Sequence, residues 1–397
     1  MKSLKLIVKE LPLLMDAFFW TAWIGLKVLS LFIPIKKKTI IFVSLGGRNY
    51  DDSPREIYEH IRRLDEFLEW TFIWAFITPE KHIIPGAKVI KFGSFSYFCT
   101  LLSCQVWITN GGIDKGIDFT RKGCIVVNTW HGTPIKKIQG EESSNPVLKY
   151  YRQNKPLDYT TIRCCQSEYD KEIFARVFRA SKDCFIMRGL PRNDRLLEYT
   201  QEEIKSTRHS LGIPDNKKVI LYMPTYREYL INNSDLYLKP PMDLIKWEEE
   251  LSDKYVLLIR AHYAVSAFLG INDSDFVKDV SKYALLSDLY AMTDIMISDY
   301  SSAFFDFSIL GRPMRCFAYD FERYEQERGF YMDMETELPC PIHKKEDDLI
   351  YSIKNMDYDE DCMATKAFAA KYIPNEGHAC EAVVNEINRS LKNKKNI

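Results

Sequence analysis

The residues of this sequence that could carry chemistry lie in four short clusters, each directly after an apolar run. The clusters are residues 128–137, 224–227, 260–262 and 298–302. Short apolar runs bounded by polar residues are typical of buried strands, and ligands of parallel sheets bind beyond the carboxyl ends of the strands. The clusters therefore predict one ligand site that is built from several loops.

The first cluster, with the sequence NTWHGTPIKK, contains a candidate general base. The imidazole of His131 titrates near neutrality, so it can take a proton from an alcohol. Lys136, in the same cluster, can meet a phosphate. The alternative is that His131 only satisfies backbone groups of its own loop.

The cluster at 298–302 has the sequence SDYSS and directly precedes an apolar stretch that we expect to be a helix. Asp299 can cap this helix, and Ser301 and Ser302 would lie in its first turn. Free N–H groups, hydroxyls and the helix dipole together favour a diphosphate. The alternative is an ordinary helix cap, because Ser and Asp favour that position anyway.

Three arginines are further candidates for binding a phosphorylated ligand. An arginine can fork onto two phosphate oxygens, and we expect Arg227 and Arg260 at the ligand, with Thr225 and His262 beside them. Arg192 lies in a predicted turn that starts a helix and is a third candidate for substrate binding. The alternatives are ion pairs within the protein and, for Arg192, plain turn chemistry.

Apolar runs alternate with amphipathic stretches in two series, which predicts an α/β fold with parallel sheets and helices on both faces. In the first series we expect strands at 39–45, 70–78, 88–92, 106–109 and 124–129, and helices at 54–64 and 94–103. In the second we expect strands at 218–223, 255–261, 295–298 and 314–318, and helices at 285–292, 302–310 and 364–391. A polar junction near 200–214 separates the two series, so we expect domains at 39–203 and 204–397, preceded by an N-terminal segment at 1–38.

The net charge of −1 argues against a general nucleic-acid binder, which is usually basic. This total hides an asymmetry between the first 38 residues and the rest. The first 38 carry seven Lys against Glu10 and Asp16, a net charge of +5, whereas the remaining residues sum to −6. The N-terminal segment is therefore a basic, apolar appendage on a mildly acidic body.

Residues 13–33 are mostly apolar, with one narrow polar stripe along a predicted helix. The stripe is formed by Lys2, Lys5, Lys9, Asp16, Lys27 and Ser30. Such a helix can lie in the membrane interface, with Trp20 and Trp23 at headgroup depth and the lysines on anionic lipid. A helix packed in the core and a membrane-spanning helix are the alternatives, and we favour interfacial attachment on the cytoplasmic side.

Several common signatures are missing from the sequence. The ten Cys show no C-x-x-C spacing and lie mostly in apolar runs, which argues against a zinc framework or a disulfide scaffold. Neither G-x-x-x-x-G-K-[ST] nor G-x-G-x-x-G occurs, and H-E-x-x-H and G-x-S-x-G are also absent. We expect no metal site and no cofactor.

The clusters, in this order, resemble the CDP-glycerol glycerophosphotransferase family of teichoic acid and capsule synthesis. The motifs that carry the resemblance are NTWHGTPIKK at 128–137, GLPRND at 189–194, YMPTYRE at 222–228, RAHY at 260–263, SDYSSAFFDF at 298–307 and GFYMD at 329–333. They extend over nearly the whole chain from about residue 39. Each is short, and the WHGTP and SDYSS pair carries most of the weight.

The resemblance implies a GT-B-like architecture, in which two Rossmann-like domains face a cleft. Residues 39–203 would form the acceptor-side domain and 204–397 the domain that binds the CDP-polyol. The implied reaction transfers glycerol phosphate from CDP-glycerol, or ribitol phosphate from CDP-ribitol, to a hydroxyl of a lipid-linked or polysaccharide acceptor and releases CMP. His131 is the expected base, and His262, the second expected catalytic residue, would lie with Ser301 and Ser302 at the donor diphosphate. The resemblance also implies a peripheral membrane protein, which we expect on the cytoplasmic face of the cell membrane.

Two other hypotheses stay open. A GT-B glycosyltransferase would share the cleft and the diphosphate site but use a nucleotide sugar and form a glycosidic bond. A non-catalytic, membrane-associated adaptor would show no turnover and would tolerate the loss of both His131 and His262.

Overall fold

The two series of apolar runs form two separate parallel sheets in the computed structural model. The structure describes residues 12–115, 117–142, 158–225, 227, 242–261 and 273–393, with side chains from residue 17 onward. The first sheet contains β1 (Lys36–Val43), β2 (Thr71–Phe76), β3 (Ala87–Lys91), β4 (Cys104–Thr109), β5 (Ile125–Asn128), β6 (Ile162–Cys165) and β7 (Phe185–Met187). The second contains β8 (Lys218–Met223), β9 (Tyr255–Ile259), β10 (Val277–Asp279), β11 (Ile295–Ser298), β12 (Met314–Phe317) and β13 (Ile342–His343).

Fourteen α-helices accompany these sheets within the described ranges. They are α1 (Pro12–Phe32), α2 (Asp52–Ile61), α3 (Phe95–Ser103), α4 (Glu168–Phe178), α5 (Pro191–Asp194), α6 (Gln201–Ser210), α7 (Leu244–Leu251), α8 (Leu286–Met292), α9 (Ala303–Ser308), α10 (Phe321–Arg328), α11 (Met334–Glu337), α12 (Glu346–Lys354), α13 (Tyr358–Tyr372) and α14 (Ala379–Asn393).

All strand pairings inside the two sheets are parallel, and the central strands are buried on both faces. The strand orders are β3-β2-β1-β4-β5-β6-β7 and β10-β9-β8-β11-β12-β13. In β1, Ile40 and Phe42 belong to one apolar core while Ile41 and Val43 belong to another. Continuous apolar strands are expected when helices cover both faces of a sheet. The predicted α/β fold with parallel sheets is confirmed.

The C-terminal helix returns to the first sheet. A single helix was expected over residues 364–391, but α13 ends at Tyr372 and α14 begins at Ala379, with Pro374 and Gly377 between them. Proline cannot continue a helix, and Gly377 has a φ of +91°. The turn lets α14 pack in the core of β1 and α2. The expected domain 204–397 included this helix, but the helix packs on the first sheet and not on the second.

Helix α1 turns its polar residues toward the protein, opposite to the expected arrangement. Lys27 Nζ donates a hydrogen bond to the Thr120 carbonyl (3.2 Å), and Ser30 is buried. Apolar side chains of the helix are exposed instead, among them Trp20 (64%) and Leu31 (80%). The expectation that Lys27 faces lipid is therefore wrong, because this lysine finds its acceptor on the protein.

The remaining lysines of the predicted stripe, Lys2, Lys5 and Lys9, lie outside the described residues, and so does the side chain of Asp16. Among the described helices, none combines the length and the hydropathy that crossing a bilayer would require.

Truncation of Ile387 tests how strongly α14 holds the first sheet. Ile387 is fully buried beside Val383 and the residues of β1. We expect Ile387→Ala to lower the free energy of unfolding by about 2–5 kcal/mol, because it leaves a cavity that the core fills only partly. Urea unfolding gives the value. The control Lys392→Ala removes an exposed side chain of the same helix and should change it by less than about 0.5 kcal/mol.

Candidate functional site

Loops that follow strands of both sheets line one pocket with a volume of about 430 Å³. This volume lies in the range of small-molecule sites. Six of the predicted site residues line it, namely His131, Lys136, Thr225, Arg260, Ser301 and Ser302. Arg192, Arg227 and Asp299 lie behind the pocket wall. His262 lies outside the described residues.

His131 is held with one ring nitrogen available to a ligand. Its Nδ1 lies 2.7 Å from the carbonyl oxygen of Asn110, and its ring stacks on Trp130 at a centroid distance of 4.1 Å. A carbonyl oxygen can only accept a hydrogen bond, so Nδ1 carries the proton. Nε2 of the neutral ring is then a free base.

The electrostatic surroundings keep His131 in this neutral form. The ring is open to the pocket on one side, but the protein on its other sides removes water and lowers the pKa of His131. The Asn110 carbonyl and Asp52 act in the opposite direction but do not outweigh this effect. The unprotonated form therefore persists to more acidic pH than for an ordinary histidine.

Arg227 does not reach the pocket surface, in contrast to the prediction. Its guanidinium is 4% exposed and binds Asp299 (Nη1 to Oδ2, 2.8 Å) and Asp320 (Nε to Oδ2, 2.8 Å). Asp299 also accepts from the backbone N–H of Thr225 at 3.0 Å. Two carboxylates already neutralise the cation, so Arg227 and Asp299 hold the loops after β8 and β11 together behind the pocket.

Arg260 and Thr225 differ from Arg227 because both line the pocket. Nη1 of Arg260 donates to the carbonyls of Val280 (3.3 Å) and Tyr283 (2.7 Å), and within the described part of the chain it makes no ion pair. The hydroxyl of Thr225 is buried and has no hydrogen-bond partner among the described residues. This side of the pocket therefore offers the guanidinium of Arg260 to an anion, and Asp51 is the nearby carboxylate that acts on its charge.

Arg192 joins the two sheets and is not among the residues that line the pocket with His131. Its Nη1 donates to Asp52 Oδ2 (2.9 Å) and to the carbonyl of His131 (3.0 Å), and its Nη2 pairs with Asp306. Asp52 begins α2 beside the first sheet, whereas Asp306 lies in α9 beside the second. Burial tends to raise the pKa of Asp52, but Arg192 and nearby hydrogen bonds lower it overall.

Gly132 marks the closest approach of the loops after β5 and β11. A Cβ atom on this glycine would lie 2.7 Å from Ser302 Cβ and 3.0 Å from Arg192 Nη2. Its φ of +134° is also one that side chains rarely adopt. Only glycine lets the His131 loop and the start of α9 approach so closely.

A short antiparallel bridge closes the other side of the pocket. The Lys137 N–H donates to the Gly329 carbonyl (3.0 Å), and the Tyr331 N–H donates to the Ile135 carbonyl (2.7 Å). The 128–137 and 329–333 motifs therefore meet in space, although almost 200 residues separate them. This bridge fixes the backbone on both sides of Lys136.

Sequence reasoning missed the residues that position this site. Asn110 fixes the tautomer of His131, Asp52 and Asp306 hold Arg192, and Asp320 holds Arg227. Asp306 occurs in one of the quoted motifs, and an acidic residue inside the apolar sequence AFFDF is a signal for a buried ion pair. Asn110, Asp52 and Asp320 have no comparable local signal.

Among the described residues, no group of three or more His, Cys, Asp or Glu side chains is arranged to hold a metal ion. The ten Cys are free thiols, eight of them buried.

Comparison with known proteins places the chain in one family. Residues 26–389 match the family model of CDP-Glycerol:Poly(glycerophosphate) glycerophosphotransferase. A teichoic acid poly(glycerol phosphate) polymerase of Staphylococcus epidermidis is 34% identical over 85% of this chain, which spans only about half (50%) of that protein. A teichoic acid glycerol-phosphate transferase of Staphylococcus aureus is 34% identical over 81% of this chain and 84% of its own length. The solved structure of the wall teichoic acid polymerase TagF has a TM-score of 0.82 with 29% identity and covers 96% of both chains.

Substitution of Gly132 tests the close approach to α9. We expect Gly132→Ala to lower the free energy of unfolding by about 1–3 kcal/mol, because the added methyl overpacks the contact with Ser302. Adding Ser302→Gly removes the opposing atoms and should restore part of the loss in a double-mutant cycle. At Gly112, near the end of the neighbouring strand β4, a Cβ meets nothing within 4 Å, so the control Gly112→Ala should be close to neutral. Equal effects at the two glycines would contradict the close approach.

Proposed function

Because the chain belongs to the CDP-glycerol:poly(glycerophosphate) glycerophosphotransferase family, we propose that it transfers a polyol phosphate from a CDP-polyol to an acceptor hydroxyl in teichoic acid biosynthesis. CDP-glycerol is the preferred donor in this proposal, and CMP is the product released. The observation that carries the proposal is His131, whose free Nε2 lies in the same pocket as the cation of Arg260 and the hydroxyls of Ser301 and Ser302. A base and an anion-binding wall in one pocket are the two parts that phosphoryl transfer to an alcohol requires.

The proposed reaction is an in-line displacement at phosphorus. The acceptor oxygen forms a bond to the glycerol-side phosphorus, and the bond from this phosphorus to the bridging oxygen of the diphosphate breaks. The proton of the acceptor hydroxyl passes to Nε2 of His131, and the bond electrons leave with CMP. Positioning and neutralisation of charge supply most of the rate enhancement in such reactions.

Different residues serve the attacking acceptor and the leaving CMP in this displacement. Arg260 and Lys136 supply positive charge at the pocket, while Ser301 and Ser302 supply hydroxyl donors. The oxygens of the diphosphate need such partners, and so does the negative charge that develops on CMP. We retain His262, two positions after Arg260 in the sequence, as the second proposed catalytic residue at the leaving phosphate.

A GT-B-like arrangement of two Rossmann-like domains around a cleft is part of the proposal. Two observations support it: each parallel sheet has its own cores, and the pocket is lined by loops that follow strands of both sheets. The loops after β4 and β5 carry Asn110, His131 and Lys136, whereas those after β8, β9 and β11 carry most of the anion-binding groups. Acceptor activation and donor binding would then belong to different sheets.

We further propose that α1 attaches the protein to the cytoplasmic face of an anionic membrane, where a lipid-linked acceptor is anchored. The exposed apolar side chains of α1, with Trp20 and Leu31 among them, support an interfacial position. Lys36 and Lys37, just beyond the helix, are exposed and can meet anionic lipid. Wall teichoic acid, capsule polysaccharide and related polymers differ in this acceptor.

A donor panel tests the reaction type. The full chain is incubated with CDP-glycerol, CDP-ribitol and UDP-sugars in the presence of a lipid-linked disaccharide, and CMP and UDP release are compared by chromatography. We expect acceptor-dependent CMP release, highest with CDP-glycerol. UDP release without CMP release would favour a nucleotide-sugar glycosyltransferase, and no release with any donor would favour an adaptor.

Removal of the base is the second test. His131→Ala should lower kcat by about 10²- to 10⁴-fold, because the acceptor proton loses its receiving group, while the Kd for CDP-glycerol changes little. In the parent protein the acid limb of kcat/KM should lie below pH 6.5, since removal of water lowers the pKa of His131 from that usual value and the base form is lost only below the lowered pKa. His131→Ala should abolish this limb. Turnover that survives the substitution with an unchanged pH profile would rule out His131 as the base.

A further inference from the structure

A second cavity of about 270 Å³ lies at the carboxyl end of the first sheet, on the other side of Trp130 from the pocket that contains His131. We propose that it binds an uncharged sugar ring of the acceptor, next to the hydroxyl that His131 deprotonates. This inference rests on the proposed transfer to a glycan-bearing acceptor and deepens it. The residues that carry the argument are Trp130, Arg163, Asp118, Asp158 and Gly111, all of which line the cavity.

The charged side chains that line the two cavities differ in sign: cations line the first pocket, and carboxylates outnumber the cation in the second cavity. Lys136 and Arg260 line the first pocket, which has no carboxylate in its wall among the described residues. In the second cavity Asp114, Asp118 and Asp158 contribute carboxylates against the single cation of Arg163. A phosphate is therefore repelled by the second cavity and attracted by the first. Hydroxyl groups, which donate hydrogen bonds to carboxylates, suit the second cavity.

Arg163 provides an independent sign of a missing ligand. It is 1% exposed and pairs with Asp158 through Nη2 only. Its Nε and Nη1 are buried without a hydrogen-bond partner among the described residues. Buried N–H donors nearly always have a partner, and a sugar hydroxyl that reaches these nitrogens would supply one. Such a hydroxyl would accept from Arg163 while donating to a neighbouring carboxylate.

The aromatic wall of the cavity places a bound ring beside the base. Trp130 lines both cavities and stacks on His131, while Phe178 lies edge-on to Trp130 at a centroid distance of 4.7 Å. Apolar faces of sugar rings pack on such aromatic surfaces, and their hydroxyls point to the polar rim. A ring held against this wall can present an attached hydroxyl to Nε2 of His131.

The same cavity lies close to α1. Asp118 Oδ1 accepts from the Thr120 hydroxyl (2.7 Å), and the Thr120 carbonyl accepts from Lys27 of α1 (3.2 Å). Tyr159, also in the cavity wall, packs in the core that includes Phe19 and Leu29 of α1. The cavity therefore lies between a helix with an exposed apolar face and the base.

Gly111 allows the cavity to be filled without removing any contact. A Cβ at this position meets nothing within 4 Å, and its φ does not lie in the left-handed region. Gly111→Leu should therefore place a side chain in the space proposed for the sugar. The matched control is Glu249→Leu, which adds the same side chain at an exposed position of α7, on the second sheet.

The experiment measures binding and turnover with a panel of uncharged octyl-linked disaccharides as water-soluble acceptors. In the parent chain we expect at least one disaccharide to bind by saturation-transfer NMR. Gly111→Leu should raise the acceptor KM or Kd about tenfold or more, whereas the Kd for CDP-glycerol should change less than about twofold. Asp118→Asn, which preserves shape but removes a charge, should raise the acceptor KM about threefold to tenfold. Glu249→Leu should match the parent chain.

The outcomes separate this inference from the proposed function. An unchanged acceptor KM in a folded Gly111→Leu protein that still binds CDP-glycerol would overturn the cavity assignment and leave the transfer reaction intact. Failure of every disaccharide to bind the parent chain, or competition for the cavity by glycerol phosphate, would also overturn it. Absence of CMP release with any donor would instead contradict the proposed function, while NMR binding that Gly111→Leu abolishes would still support a sugar site.

Discussion

The arrangement of the site depends on one buried guanidinium. Arg192 binds Asp52 beside the first sheet and Asp306 in the helix that follows Ser302, and it also donates to the backbone carbonyl of His131. A buried cation is tolerated only when it is paired, and removing one partner of such a pair typically costs about 3–5 kcal/mol. The separation between the base and the hydroxyls at the start of α9 is therefore set by the reach of a single side chain. Gly132 permits this separation because it has no Cβ to meet Ser302.

A second constraint is the distribution of charge. Arg227 and Arg192 are neutralised by carboxylates behind the pocket, while Arg260 uses backbone carbonyls as acceptors and keeps its charge available. His131 stays neutral to more acidic pH because burial of most of its ring lowers its pKa, although the hydrogen bond to the Asn110 carbonyl acts in the opposite direction. The first pocket is thereby suited to an anionic donor and to a proton transfer at near-neutral pH. On the other side of Trp130, carboxylates around Arg163 produce the opposite preference.

Much of the fold could be predicted from the sequence, because central strands of parallel sheets are apolar along their whole length. The strands at 218–223 and 295–298 match the prediction residue for residue. The strand 162–165 was missed because the polar Arg163 interrupts a run of only four residues, and its burial depends on Asp158 and Phe178. The helix expected over 364–391 is divided in two where Pro374 and Gly377 interrupt it. The sequence predicted that helix α1 is amphipathic, but it did not predict which face packs on the protein. This orientation depends on Lys27, which binds a carbonyl of a loop that is distant in the sequence.

The sequence alone determined which chemical groups are present and at which strand ends they lie. His131, Thr225, Arg260, Ser301 and Ser302 were found in this way, because strand-end position and residue type are local properties. Only the tertiary structure decided which cations remain available to a ligand. Arg192, Arg227 and Arg260 occupy similar positions in the sequence, but a buried guanidinium pairs with whichever carboxylate the fold brings within reach. Asp52, Asp306 and Asp320 come from distant parts of the chain, so no local pattern could have separated the structural arginines from the one that faces the pocket.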